Sequence, residues 1–120
     1  MTIQWSHEDE STIVFHVSGT LTKSELDNCQ SEAEVIIQKS EQIKILVIVT
    51  DFKGWDDSGD WTDLTFGERN DRYIQKMAIV GDPKWKLLAE MFTLKGLRKF
   101  PIEYFPENQD FFAKEWLATD

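Results

Sequence analysis

Apolar positions along the chain follow two alternating periods. Ile13, Phe15 and Val17 fall on one side of Thr12–Ser18 and Val14 and His16 on the other, a period of two that predicts a strand closed by Gly19. Ile3–Trp5 predicts a short partner strand, with His7–Ser11 as the hairpin loop between them. From Thr22 to about Ser40 the period lengthens. Leu26, Cys29, Ala33, Ile36 and Ile37 share one stripe, with Glu, Lys and Gln opposite, which predicts an amphipathic helix. Ile45–Val49 is an unbroken apolar, mostly β-branched run, the mark of a strand covered on both faces.

An acidic, glycine-bearing stretch, Asp51–Asp60, is expected as a loop, followed by a helix over about Trp61–Gln75. Lys76–Gly81 predicts a second buried strand. Asp82-Pro83 then supplies an N-cap and a first-turn proline for a helix whose Trp85, Leu88, Ala89 and Phe92 form one face, stopped by Gly96. Pro101–Phe105 predicts a last strand, and Phe112, Ala113, Trp116 and Leu117 a C-terminal helix that docks its aromatic face. The order β(β)αβαβαβα implies an α/β domain: a four- or five-stranded, mostly parallel sheet with right-handed crossovers, an N-terminal antiparallel hairpin and about four packing helices. No linker or repeat divides residues 1–120, so one domain is expected.

Composition narrows the function classes. With 41% hydrophobic and 29% charged residues the chain is globular in character. Thirteen basic against 22 acidic side chains give a net charge of −9, which speaks against nucleic acid or an anionic membrane as a general partner. The basic cluster Lys95, Arg98 and Lys99 reads as a solvated turn that complements a helix C-terminus. Cys29 is the single cysteine, so neither an intrachain disulfide nor a cysteine-based zinc site can form. The first residues lack the basic start and apolar core of a signal peptide. No apolar run reaches the ~20 residues that span a bilayer. The expectation is a cytoplasmic protein with no integral membrane contact.

Catalytic and nucleotide-binding signatures are missing: no P-loop, no Gly-x-Gly-x-x-Gly, no His-Glu-x-x-His and no Gly-x-Ser-x-Gly turn. His7 and His16 read as structural, and Cys29 as a small buried hydrophobe on its helix stripe. No catalytic residue, metal ligand or cofactor is therefore assigned. The stretch Asp51, Gly54, Trp55, Asp56, Asp57, Ser58, Gly59, Asp60 and Trp61 follows a central strand's C-terminal end, where open α/β sheets place ligands. Its aspartates lack calcium-loop spacing and read as caps for the following helix. Five tryptophans are many for this length. Trp55 and Trp61 flank the polar stretch and could wall an apolar pocket or form an interaction patch.

Several segments together resemble the SpoIIAA-like family of the STAS/SEC14-related fold. They are Val17-Ser18-Gly19-Thr20-Leu21-Thr22, Asp51-Phe52-x-Gly54-Trp55, Trp61-x-Asp63-Leu64-x-Phe66, Ala78-Ile79-Val80-Gly81-Asp82-x-Lys84-Trp85 and Ala113-x-x-Trp116-Leu117. The resemblance covers nearly the whole chain and implies the sheet and helices already predicted. The anti-sigma-factor antagonists that name the family carry an Asp-Ser-Ser-Gly turn phosphorylated on its second serine. That similarity puts Ser58 at the phosphoacceptor place, with Asp57 replacing the first serine. Asp56, Asp57 and Asp60 would repel a phosphate there.

Three functions remain in view. One is a non-catalytic regulatory module that engages a protein partner through the Asp51–Trp61 stretch, with Ser58 as a switch. Kinship with lipid-binding SEC14-type domains implies another, a carrier or sensor of a small apolar ligand held by Trp55, Trp61, Phe66, Trp85 and Phe92. The third is a carboxylate-based hydrolase using Asp51 and Asp56, which requires a cleft and a raised carboxylate pKa. An apolar helix face or an edge strand could also pair two copies into a homodimer.

Overall fold

The computed structural model describes residues 2–9, 11–40, 42–57, 59, 61 and 65–119. Five strands form one sheet in sequence order: β1 (Ile3–Asp9), β2 (Thr12–Leu21), β3 (Ile43–Trp55), β4 (Ile74–Gly81) and β5 (Ile102–Pro106). β1 pairs antiparallel with β2, and the other pairings are parallel, as the alternation of strands and helices requires. Helices α1 (Lys23–Lys39), α2 (Thr65–Asn70), α3 (Lys86–Phe92) and α4 (Asp110–Ala118) occupy the connections and the C-terminal end.

The period of two sorts side chains onto two faces of this sheet. Phe15, Val47, Ile79 and Tyr104 are successive register partners across β2 to β5, and Trp5 extends the row on β1. This face carries the larger core, in which Cys29, Ala33 and Ile37 of α1 pack on Ile13, Phe15, Ile43 and Ile45. The opposite face presents Val14, Leu46, Ala78 and Val80, covered by Ala113 and Leu117 of α4. Lys76 is buried on β4. Its ammonium donates to the Trp116 carbonyl (2.8 Å) and to Thr119 Oγ1 (2.7 Å), so a cation meets the negative end of α4.

Local signals explain the starts of two helices. Thr22 caps α1 by accepting from the Glu25 amide (3.2 Å), while Glu25 reaches the N-terminal segment and accepts from the Thr2 amide (2.6 Å). Asp82 caps the Lys84 amide (2.9 Å), and Pro83 opens a 3-10 turn that leads into α3.

Several expected boundaries move. β1 continues through His7 to Asp9, so His7 is a strand residue opposite Ile13 and not part of a hairpin loop. β2 passes through Gly19, whose φ of 67° bends the strand instead of closing it. β3 extends to Trp55, pairing Gly54 and Trp55 with Thr20 and Leu21. Asp51–Trp55 therefore belongs to a strand, where the acidic composition had suggested a loop. The helix expected over Trp61–Gln75 covers only Thr65–Asn70 of the described residues, because a 3-10 turn (Asp71–Tyr73) and then β4 take the rest. Leu88 and Phe112 fall on outward faces of α3 and α4 instead of docking.

Candidate functional site

On the α1–α3 face the helices do not close over the sheet. A cavity of about 720 Å³ lies between them, floored by Phe15, Val17, Ile45, Val47, Val49, Met77 and Ile79. Its walls come from Leu21 and Leu26 on one side and from Trp85, Ala89 and Phe92 on another. Protein interiors hold few voids larger than a water, whereas small-molecule sites run to roughly 300–1,000 Å³. This volume belongs to the second class.

The C-terminal extension of β3 shapes the aromatic wall. Asp51 takes a positive φ of 49°, a conformation Asp tolerates better than most residues, and Gly54 takes 108°. Gly54 is buried against the Trp85 ring, and its positive φ, not that contact, calls for glycine. The turn brings Phe52 and Trp55 edge-to-face at 5.0 Å. Trp85 joins them at 5.0 Å from Phe52 and 6.0 Å from Trp55. Phe92 lies 5.2 Å from Trp55 and 5.6 Å from Trp61. Apart from the tilted Trp55–Phe92 pair, these geometries are those in which the electropositive edge of one ring meets the π-face of another.

Two indoles in this cluster differ in one respect. Trp61 donates its Nε1–H to the Asp56 carbonyl at 2.6 Å. Trp55 Nε1–H is buried and has no acceptor among the described residues. A buried donor without a partner costs about 1–3 kcal/mol, so such groups are rare. Tyr104 borders the same cavity and donates to the Asp82 carbonyl (2.7 Å). Burial first, and then the nearby charge of Asp82, push its hydroxyl up to about 12, so it stays a neutral donor.

The structure brings Trp55, Trp61, Phe66, Trp85 and Phe92 around this one cavity. Asp51, Gly54, Asp56, Asp57 and Gly59 are not among the residues that line it. Ser58 and Asp60 lie outside the described residues. Among the described residues, the carboxylates whose acidity is moved, Asp9, Glu25 and Glu34, all move down through hydrogen bonds to their carboxylates, and none borders the cavity. Among the described residues no three His, Cys, Asp or Glu side chains converge as a metal site would require. Burial, with the charge of Glu32 second, raises the Cys29 thiol to about 11, which keeps it protonated.

Periodicity missed three contributors. Phe52 completes the aromatic wall, but it stands in what composition had made a loop. Asn70 is fully buried, donating to the Phe66 carbonyl (2.9 Å) and Glu34 Oε2 (2.6 Å) and accepting from Gln38 (3.2 Å), which ties α2 to α1. Lys76 sits in an apolar strand, with only its own charge to mark it.

The comparisons with known proteins concern the fold. A solved structure from Shewanella loihica PV-4, an uncharacterized protein of the DUF3478 family with a SpoIIAA-like fold, superimposes with a TM-score of 0.71 at 20% identity. The match covers 97% of this chain and 92% of that one. No curated protein matches the sequence. A SpoIIAA-like fold is in keeping with a non-enzymatic regulatory module in general, and it specifies neither ligand nor partner. Among the described residues no helix is long and apolar enough to cross a membrane. The SpoIIAA-like family model matches residues 12–118, almost the full length, and the chain belongs to the SpoIIAA-like family.

Proposed function

We propose that this protein is a non-catalytic carrier or sensor of a small apolar ligand. The observation that carries the reading is the 720 Å³ cavity walled by Trp55, Trp61, Phe66, Trp85 and Phe92. Apolar surface along Val47, Val49, Ile79 and Phe92 supplies the affinity. This reading ranks above an interaction loop because Trp55 and Trp61, the two tryptophans that flank the polar stretch, both line the cavity.

The test is native mass spectrometry of protein purified from its own host, followed by denaturing intact mass. A small-molecule adduct lost on denaturation is expected. Independently, the dye 1-anilinonaphthalene-8-sulfonate should bind the folded protein and alter tryptophan emission, and Val47→Phe should block it. A bare mass together with dye binding that Val47→Phe leaves unchanged would overturn the reading.

A further inference from the structure

We infer that the outer surface of α3 and the turn after it dock on an anionic lipid bilayer. Eight large apolar side chains are exposed among the described residues, and five of them, Leu87, Leu88, Met91, Phe92 and Leu97, fall within eleven positions. Leu87 is 68% exposed, Met91 62% and Leu97 82%. On α3, Leu87 and Met91 are four residues apart and share a face with Leu88. The turn that follows is formed by Leu94 at a φ of 59°, with the Leu97 amide bonded to the Leu94 carbonyl (2.9 Å), and it leaves Leu97 exposed directly after α3. Solvation alone gives no reason to cluster such side chains.

Charge identifies what covers them. Residues 84–99 carry Lys84, Lys86, Lys95, Arg98 and Lys99 against Glu90 alone, a local excess of four positive charges in a chain of net charge −9. Lys95 is paired with Glu90 (3.1 Å) and lies 4.0 Å from Glu103, and Arg98 is paired with Asp71 (2.5 Å), so the cations left free among the described residues are the lysines at the two ends. Lys84, Lys86 and Lys99 have no ion pair among the described residues. Exposed apolar side chains with unpaired lysines close by in sequence are the pattern of an interfacial segment, whose side chains enter the acyl boundary while its cations meet lipid phosphates. The remaining exposed aromatics, Phe111 and Phe112 on α4, show the contrast. Glu107, Asp110 and Glu115 surround them in sequence, and their one nearby cation, Lys114, is paired with Glu8 (3.1 Å).

The overall negative charge does not cancel this attraction. Screening falls off over about 8 Å at physiological ionic strength. The molecule is at least 27 Å across, so acidic groups on its far side are screened from a surface touching α3. The patch also continues into the cavity, since Leu97, Arg98 and Lys99 border it. A lipid surface would therefore lie against the place where an apolar ligand enters or leaves.

Co-sedimentation of the full chain with phosphatidylcholine vesicles, with and without phosphatidylglycerol, tests the inference. Binding should require phosphatidylglycerol and weaken as salt rises. Each of Lys84→Gln, Lys86→Gln and Lys99→Gln should lower partitioning by roughly fivefold. Leu87→Ser with Leu97→Ser should abolish binding while the circular dichroism spectrum and Tm stay unchanged, because both side chains are exposed. Absence of binding, or equal binding to both vesicle types, overturns the inference. So does a dimer by light scattering that Leu97→Ser dissociates, since a second copy would then be the occupant. Val47→Phe, which blocks the cavity, should leave vesicle binding intact, so this inference and the ligand reading fail separately.

Discussion

One sheet, two faces and two kinds of packing describe this molecule. Under α4, Val14, Leu46, Ala78 and Val80 meet Ala113 and Leu117, with Leu46, Ala78 and Ala113 fully excluded from solvent. Under α1 to α3, alternate residues of the same strands floor a cavity of about 720 Å³. The cavity face is the more apolar in sequence, since the α4 face also carries His16, Lys44 and Lys76. The faces differ as well in what lies above them. α4 is a nine-residue helix with small Ala113 at its contact, so it sits close to the sheet. On the other face α1 packs over β1 and β2, while α3 is held off by the aromatic cluster and leaves the middle uncovered. Bulky rings here serve as spacers, and small residues on the other side serve as closers.

Adjacent residues of β3 allow the sharpest test of that difference, since Leu46 points to the closed face and Val47 to the cavity. Leu46→Phe should destabilise by about 1–3 kcal/mol, the usual cost of overpacking a filled core. Val47→Phe adds more volume yet should cost less than about 1 kcal/mol, because the cavity receives the ring. Urea unfolding of the two variants measures both. If Val47→Phe proved as costly as Leu46→Phe, the faces would be equally packed and the comparison would break.

The strand and helix order was legible because period two and period 3.6 are written directly in which positions are apolar. Ile45–Val49 and Met77–Val80 announce central strands whatever lies above them. The cavity was only partly legible. Trp55, Trp61, Phe66, Trp85 and Phe92 stood out as aromatic residues near one polar stretch, but a pattern of apolar positions looks the same whether the helix above is in contact or held away. Acidic residues in 51–57 hid the end of β3 for a related reason. Exposed strand residues on an extension beyond the covered sheet are free to be charged, and Asp51 and Lys53 are both exposed there. Net charge concealed the basic outer surface of α3, because a sum over 120 residues erases a local excess of four.

A smaller effect separates the two indoles of the cavity. Trp55→Phe removes the unpartnered Nε1–H and keeps most of the aromatic contact with Phe52 and Phe92. The ligand-free protein should gain up to about 1 kcal/mol, less than the full cost of an unmet donor because some packing is lost with the larger ring. The same change at Trp61 should destabilise instead, since its N–H is already bonded to the Asp56 carbonyl. Thermal melts of the two variants read the opposite signs, and a shared sign would show that Trp55 has an acceptor in solution.

The least effect expected comes from acid, and it acts on the cavity side. Glu34 of α1 accepts from Arg69 Nε (2.9 Å) and from Asn70 Nδ2 (2.6 Å), joining α1 to α2. The Arg69 hydrogen bond first, and the Asn70 bond second, hold its carboxyl below the ordinary value of 4.5. A carboxyl whose folded pKa is depressed adds stability that is present above its unfolded pKa and is lost as pH falls through the folded one. Stability should therefore decline with acidification below about pH 4.5, and Glu34→Gln should flatten part of that decline. The remainder belongs to Asp9 and Glu25, which are lowered by hydrogen bonds from Ser11 and Thr2. Those two act at the β1–β2 turn and at the N-terminus, so substitution at Glu34 separates its share from theirs. Comparing Tm against pH for the native chain and Glu34→Gln isolates it. An acid slope that Glu34→Gln leaves untouched would mean that the α1–α2 tie contributes nothing, and that the aromatic cluster alone holds the cavity open.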